Sequence, residues 1–317
     1  QVSSLWQVYI IWGLIIAVGS ASCVVPVMTT IPRWFARKRG MAIGITQTGI
    51  GIGGLIGPPM AQWLISSYGW QQAYLILGLV AIIIIISLAQ FMKHSPQRIG
   101  LRPNGEDRSV EDKQSSVSIG GGLSFKQAIK TGRFWLFGLI LFGFFFAVFS
   151  IIVHIAPYAV GIGFSAMVAA SILSVIQGSS IISRFSMGVI ADRIGGRRAL
   201  AACLATLTLA LIWLLFAQEI WMFYAFAGVF GVAYGGIGSL LPLIPAELFG
   251  LSSLGIIYGG VHFLGTVGGA VGPFLAGSIF DVTGSYRSAL LAFVIVSTLA
   301  TILSLVLLRV KGWRGGD

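Results

Sequence analysis

Charge is the scarcest ingredient of this chain. Only 9% of its 317 residues are Asp, Glu, Lys or Arg, where a water-soluble domain carries roughly a quarter. That shortage excludes a soluble globular protein. Carboxylates are the rarer sign, nine against twenty Lys and Arg, and none lies inside an apolar run away from its ends. There are two cysteines, Cys23 and Cys203, both within apolar segments, and three histidines, His94, His154 and His262, scattered along the chain. Neither set has the spacing of a disulfide framework or a metal site, and no clustered His and acidic motif supports an integral-membrane enzyme. The expectation is therefore no cofactor, no metal and no enzymatic reaction.

What fills the space is apolar. Hydrophobic residues make up 56% of the chain, gathered in continuous runs long enough for about 20 residues of bilayer-crossing helix. The runs do not alternate with period two, so a helical bundle is expected rather than a barrel. Nine spans are predicted, over 5–32, 41–67, 70–92, 134–160, 166–190, 198–218, 220–246, 254–280 and 286–309. The segment 93–133 is polar, and its "PNGEDRSVEDKQSSVSIGGG" core has no apolar face. This divides the chain into 1–92, a linker over 93–133, and 134–317. "SFKQAIKTGRF", at the end of the linker, reads as a short interfacial helix.

The net charge of +11 is explained by topology, not by nucleic acid. Eighteen of the twenty basic residues fall on alternate loops: 33–39, the linker, 193–198 and the carboxy terminus. By the positive-inside rule these loops, and the carboxy terminus, are expected in the cytoplasm. Arg287 lies on the opposite side and Arg184 inside a span.

The chain also repeats itself. "GGLIGPPMA" at 53–61 returns as "GGAVGPFLA" at 268–276, an offset of 215 that also aligns Trp6, Tyr9 and Gly13 with Trp221, Tyr224 and Gly228. With one residue inserted, Pro26 meets Pro242 and Trp70 meets Tyr286. Spans one to three thus copy spans seven to nine. Spans four to six lack copies, so about 80–90 residues and three further spans are expected before Gln1, completing two six-helix halves.

Two stretches carry a family resemblance. "GVIADRIGGRR" (188–198) resembles the signature loop of the major facilitator superfamily. "RWFARKRGMAIGITQTG" (33–49) is similar to the segment opening the fifth helix of monocarboxylate transporters and bacterial oxalate/formate exchangers. The resemblance implies an all-α major facilitator fold of which helices 4–12 are present, working by alternating access on small carboxylates, by proton symport or anion exchange. It implies an integral membrane protein, here expected in a bacterial inner membrane, surrounded by lipid and monomeric. The alternatives are an exporter of another solute or drug, and a transporter-like receptor without flux. Cation export is disfavoured, because the spans hold no central carboxylate.

Arg184 is the leading site residue. It lies eight residues before Asp192, about 12 Å deep at 1.5 Å per residue, and a central charge costs about 2.5–3.5 kcal/mol on insertion scales. Gln177, Ser180, Arg184 and Gly188 form one polar stripe on that span. A guanidinium holds a carboxylate with a rigid two-pronged fork, and the resembled carboxylate transporters carry a substrate-binding arginine at this place. The competing role is snorkelling towards the headgroups. Gln47, His154, Tyr158, Tyr234, Tyr258 and His262 are further candidates for the cavity. Tyr234 resembles an aromatic position lining the site in monocarboxylate transporters. Where proton-coupled relatives often have an aspartate, this chain has Ser180, and the eighth span lacks the lysine of oxalate exchangers, so a monocarboxylate such as lactate, pyruvate or formate is expected. Gly188, Asp192 and Arg193 are expected to act as a conformational latch, with Asp192 accepting hydrogen bonds from a helix N-terminus. Gly49, Gly53, Gly57 and Ala61 form a small-residue stripe, as do Gly268, Gly272 and Ala276, and both suit close helix packing.

Overall fold

In lipid each backbone N–H must find its acceptor within its own segment, and the apolar runs accordingly coil. The structure, a computed structural model, describes residues 4–35, 38–91, 96, 100 and 122–310. Its helices are α1 (Leu5–Ile10), α2 (Ala17–Trp34), α3 (Arg39–Tyr68), α4 (Trp70–Ala89), α5 (Phe125–Ala128), α6 (Gly132–Gly161), α7 (Ala166–Ile194), α8 (Gly196–Leu215), α9 (Ile220–Leu240), α10 (Leu243–Phe249), α11 (Leu254–Thr283) and α12 (Tyr286–Arg309). A π-helical turn over Ile11–Ile16 joins α1 to α2. Among the described residues nine helices are long and apolar enough to cross a membrane. They contain no strand; Gly122 and Gly250 form an isolated antiparallel bridge.

The predicted spans differ from these helices mainly at their ends. The span read as 220–246 is two elements, because Pro242 has no N–H to continue the ladder; α9 stops at Leu240 and α10 starts afresh at Leu243. The fifth span runs on to Ile194, through Asp192 and Arg193, and stops at Gly195 with φ +90°. The interfacial helix shrinks to α5, one turn whose capping box pairs Ser124 with Gln127. The polar core of the predicted linker, together with His94, lies outside the described residues.

Packing depends on glycines where backbones touch. On α11 a Cβ at Gly268 would sit 2.2 Å from the Phe142 carbonyl oxygen, and one at Gly272 2.5 Å from that of Phe146. The stripe expected on α11 is therefore the seam with α6. The matching stripe on α3 is not used in the same way: at Gly49, Gly53 and Gly57 an added Cβ meets nothing within 4 Å. A different face of α3 crosses α7. There Gly40, Gly44, Gly51 and Gly54 approach Gly188, Arg184, Ile181 and Gln177 in turn, with Cβ distances of 2.3 Å to the Gly188 oxygen and 2.6 Å to the Arg184 oxygen. The two helices run antiparallel, residue 40 lying against 188–192 and residue 54 against 177.

The repeat is visible in the elements. α3 and α11 each contain 30 residues, and their ends are related by the same offset of 215 that aligns the sequence. α4 shows its apolar side chains outward, with Leu75, Leu79, Ile83 and Leu88 all at least 60% exposed. Such a surface is stable only against lipid.

Candidate functional site

The α3–α7 crossing puts a cation between the two groups of helices. Arg184 is 4% exposed, and its guanidinium turns inward, not towards the headgroups. Its Nη1 donates to Gln47 Oε1 at 3.3 Å, and its central carbon stands 5.1 Å from the centre of the Tyr234 ring on α9, within cation–π range. Gln47 is itself buried and fixed: its Nε2 donates to the Gly238 carbonyl at 3.0 Å and approaches Met28 Sδ at 3.4 Å. One amide thus ties α2 and α3 to α7 and α9. No carboxylate pairs with Arg184 among the described residues, and its Nε is buried without a hydrogen-bond partner.

The backbone around the arginine is tightly set. Ser239 Oγ donates to the Arg184 carbonyl at 2.7 Å, and Ser183 Oγ donates to the Val232 carbonyl. A Cβ at Gly238 would lie 3.1 Å from Arg184 Nη1. Gly238, Ser239 and Met28 belong to the site yet were not expected from sequence. Gly238 acts through its carbonyl and its lack of a side chain, which no residue code announces; its place in "YGGIG", one turn after Tyr234, was the available hint.

The other candidates divide. Gln177 shares the Arg184 face of α7 two turns away; its Oε1 is buried and unpartnered, and its Nε2 is 2.9 Å from where a Cβ of Gly54 would stand. Ser180 is fully buried and bonds back to the Gln177 carbonyl at 2.8 Å. His154 and Tyr158 gather elsewhere, at the Tyr286 end of α6. His154 Nε2 is 3.0 Å from the Pro273 carbonyl, which only accepts, so Nε2 carries the hydrogen and Nδ1 accepts from Tyr286 OH at 3.2 Å. Tyr158 packs on Phe223 and Tyr286. Tyr258 and His262 meet at a tilt of 58° on α11, ring centres 5.5 Å apart, and His262 meets Phe145 edge-on at 5.2 Å. No contact joins either pair to Arg184 among the described residues.

At the basic end, Asp192 reaches across from α7 to the start of α3. Its Oδ1 accepts from Gly40 N–H at 2.7 Å and its Oδ2 from Met41 N–H at 2.9 Å. The residue at the α3 N-cap is Lys38, left-handed at φ 59° and offering no side-chain acceptor; Asp192 supplies the cap that Lys38 lacks. Gly188 is where the α3 and α7 backbones touch, a Cβ there lying 2.2 Å from the Gly40 oxygen. Arg193 is exposed. Beside this contact, Arg33 Nη2 donates to the Leu251 carbonyl at 3.2 Å, a second tie between the two groups of helices. A third cluster lies near the carboxy terminus. Glu247 on α10 accepts from Gly196 N–H at 3.3 Å and approaches Arg197 Nε at 3.6 Å, while Arg197 also donates to the Val310 carbonyl. Burial pushes the Glu247 carboxyl above its ordinary range, and Arg197 opposes the shift.

Among the described residues, nine helices long and apolar enough to cross a membrane and a buried cation held between two helix groups, together with the 215-residue repeat, define a polytopic α-helical membrane protein. Residues 2–201 and 179–313 match the model of the Major Facilitator Superfamily, and the chain belongs to that family. It is 28% identical over 315 residues to monocarboxylate transporter 12 of Rattus norvegicus, covering 91% of this chain and 64% of that protein. It is 26% identical over 317 residues to the MFS-type transporter opdF of Penicillium oxalicum, covering 97% and 69%. The chain spans 60–66% of the length of the monocarboxylate transporter 12 proteins that it matches. Among solved structures, the transporter FucP in its outward conformation superposes with a TM-score of 0.67 at 18% identity, covering 95% of this chain and 76% of that one. The two sequence relatives are an animal and a fungal protein, and give no support to the expected bacterial inner membrane.

Proposed function

We propose that the protein of which this chain is part carries small monocarboxylates across a membrane by alternating access, with Arg184 as the anion-binding group. The observation that carries this is the state of the guanidinium: 4% exposed, without a carboxylate partner among the described residues, and with one N–H unsatisfied. A buried charge of this kind is costly until an anion joins it. Gln47 and Tyr234 hold the fork in place, so a carboxylate meets a preorganised donor pair instead of a mobile side chain. The similarity to proteins named monocarboxylate transporters agrees in substrate class.

Alternating access needs ties that break. Asp192 with Gly188, and Arg33 with Leu251, tie the two groups of helices together at the basic end, and we assign that end to the cytoplasm from its positive charge. Opening it requires the Asp192 cap to leave α3. Arg193, exposed in the last turn of α7 beside Asp192, takes part through its charge.

Uptake of labelled lactate, formate and oxalate into proteoliposomes holding the full-length protein tests the assignment. Arg184→Ala is expected to lower kcat/KM by about ten- to hundredfold, the loss associated with one charge-assisted hydrogen bond. Undiminished uptake by that variant would overturn it.

A further inference from the structure

Gln177 is a polar residue in an apolar helix that the anchoring of Arg184 does not employ. Its amide makes no hydrogen bond to any described residue, and Oε1 is sealed from solvent. Gly54 leaves room for it: a Cβ there would stand 2.9 Å from Nε2. The amide lies on the Arg184 face of α7, against the same helix α3 that carries Gln47, and two turns further from the Asp192 end. We infer that Gln177 Oε1 is the second anchor of the substrate site, and that the preferred substrate is a carboxylate with a hydroxyl or N–H donor at the far end of a three- or four-carbon chain. This rests on Arg184 being the carboxylate anchor.

The spacing sets the length. Seven residues of helix separate the two side chains by about 10.5 Å along the axis. Both side chains lean towards the N-terminus of α7, as side chains on a helix do, so the spacing of their tips stays close to that of their Cα atoms. Subtracting two hydrogen bonds of about 2.8 Å each leaves about 5 Å between the substrate's carboxylate oxygen and its donor. An extended 4-hydroxybutanoate spans that gap. Lactate does not, because its hydroxyl sits beside the carboxylate and cannot reach Gln177 while Arg184 holds the acid. The buried oxygen also sets the sign of the partner: an acceptor wants a donor, and a second carboxylate would face it with like partial charge.

Inhibition of labelled butanoate uptake, in proteoliposomes of the full-length protein, separates the possibilities. Unlabelled 4-hydroxybutanoate is expected to inhibit about three- to tenfold more strongly than butanoate, the worth of one net hydrogen bond. Lactate is expected to inhibit no better than propanoate. In Gln177→Leu, and in Gln177→Met should the leucine variant fail to reach the membrane, the hydroxybutanoate-to-butanoate ratio is expected to fall to about one. A ratio near one in the unaltered protein, a ratio that persists in both variants, or stronger inhibition by succinate than by 4-hydroxybutanoate would each overturn the proposal. Arg184→Lys discriminates the two levels, since it should weaken every acid while preserving the ratio. If it weakens none, the carboxylate reading falls and takes this proposal with it; if it weakens all but the ratio was one, only the Gln177 assignment falls.

Discussion

Arg184 stands apart from the other buried side chains because it carries a charge that no carboxylate pairs with among the described residues. Gln47 gives it a neutral acceptor at 3.3 Å and Tyr234 a ring face at 5.1 Å, which together orient the guanidinium without discharging it. Gln47→Leu is expected to leave a buried cationic N–H and the Gly238 carbonyl both unsatisfied, costing about 1–3 kcal/mol; thermal unfolding in detergent reads the loss, and an unchanged midpoint would show that the amide does not hold the arginine. Arg184 and Gln47 were legible in the sequence because a polar residue in an apolar run has few innocent explanations. Gly238, Ser239 and Met28 were not, since a carbonyl or a sulfur offered from another helix leaves no mark in composition or period. The pairs His154 with Tyr158 and Tyr258 with His262 were legible as pairs, four apart on one helix face, but not their partners: Tyr286, Pro273 and Phe145 come from other elements and depend on packing.

Glu247 offers a titratable counterpart outside the spans. Its carboxyl is raised by burial, so the folded state binds its proton more tightly than the unfolded chain does. The sign follows: this group favours the folded state most below its ordinary range near 4.5, and that contribution is lost as pH rises through the folded value. In Glu247→Gln, whose amide oxygen still accepts from Gly196 N–H, the unfolding midpoint is expected to lose this decline between pH 4.5 and neutrality. A decline of equal size in the variant would assign it to other groups.

At the scale of elements, the glycine stripe of the α6–α11 seam was legible in the sequence and that of the α3–α7 seam was not. Gly49, Gly53, Gly57 and Ala61 stand out because a four-residue period is easy to see. The face that packs on α7 is Gly40, Gly44, Gln47, Gly51 and Gly54, spaced alternately by four and three, the period of a coiled-coil seam. Its partners on α7 are Gln177, Ile181, Arg184, Gly188 and Asp192, on nearly the same spacing. Two periods overlie one helix, and hydropathy cannot rank them when both consist of glycine. The consequences differ by seam. Gly268→Ala forces a methyl to 2.2 Å from the Phe142 oxygen within the α6–α11 pair, where the helices have no alternative arrangement to escape to, and should lower the unfolding midpoint by several degrees. Gly44→Ala places its methyl 2.6 Å from the Arg184 oxygen at a crossing between the two groups, where parting the helices relieves the clash. It is expected to cost little stability and to weaken cross-linking between cysteines placed at Gly51 and Ile181, whose Cβ atoms would stand 3.5 Å apart. The end of the linker is tied in its own way: Leu123 N–H donates to the Phe249 carbonyl at 2.8 Å and Gly122 bridges Gly250, beside the Leu251 carbonyl that Arg33 holds.

For the molecule as a whole, the repeat explains why a cation can sit between two helix groups at all. Two bundles related by an axis along the membrane normal present similar faces to one another, and under the proposed alternating access a residue at their boundary changes surroundings as they rock. The free energy that sets the resting position is then small and local. Asp192 contributes to it by capping α3 from the other side of the boundary, at 2.7 and 2.9 Å. Losing an N-cap is worth about 1 kcal/mol, and an anion at a helix N-terminus adds about 0.3–1 kcal/mol, so Asp192→Ala should shift the open-to-closed ratio at the basic end by about nine- to thirtyfold. Asp192→Asn keeps the acceptor and loses the charge, and should fall between the two. Reactivity of a cysteine at Ile43, fully buried near the start of α3, towards a membrane-impermeant thiol reagent added from the basic side reads the ratio. Equal labelling in the Ala variant and the unaltered background would mean that the cap is static packing, and that the closed end is held by Arg33 and the glycine seam alone.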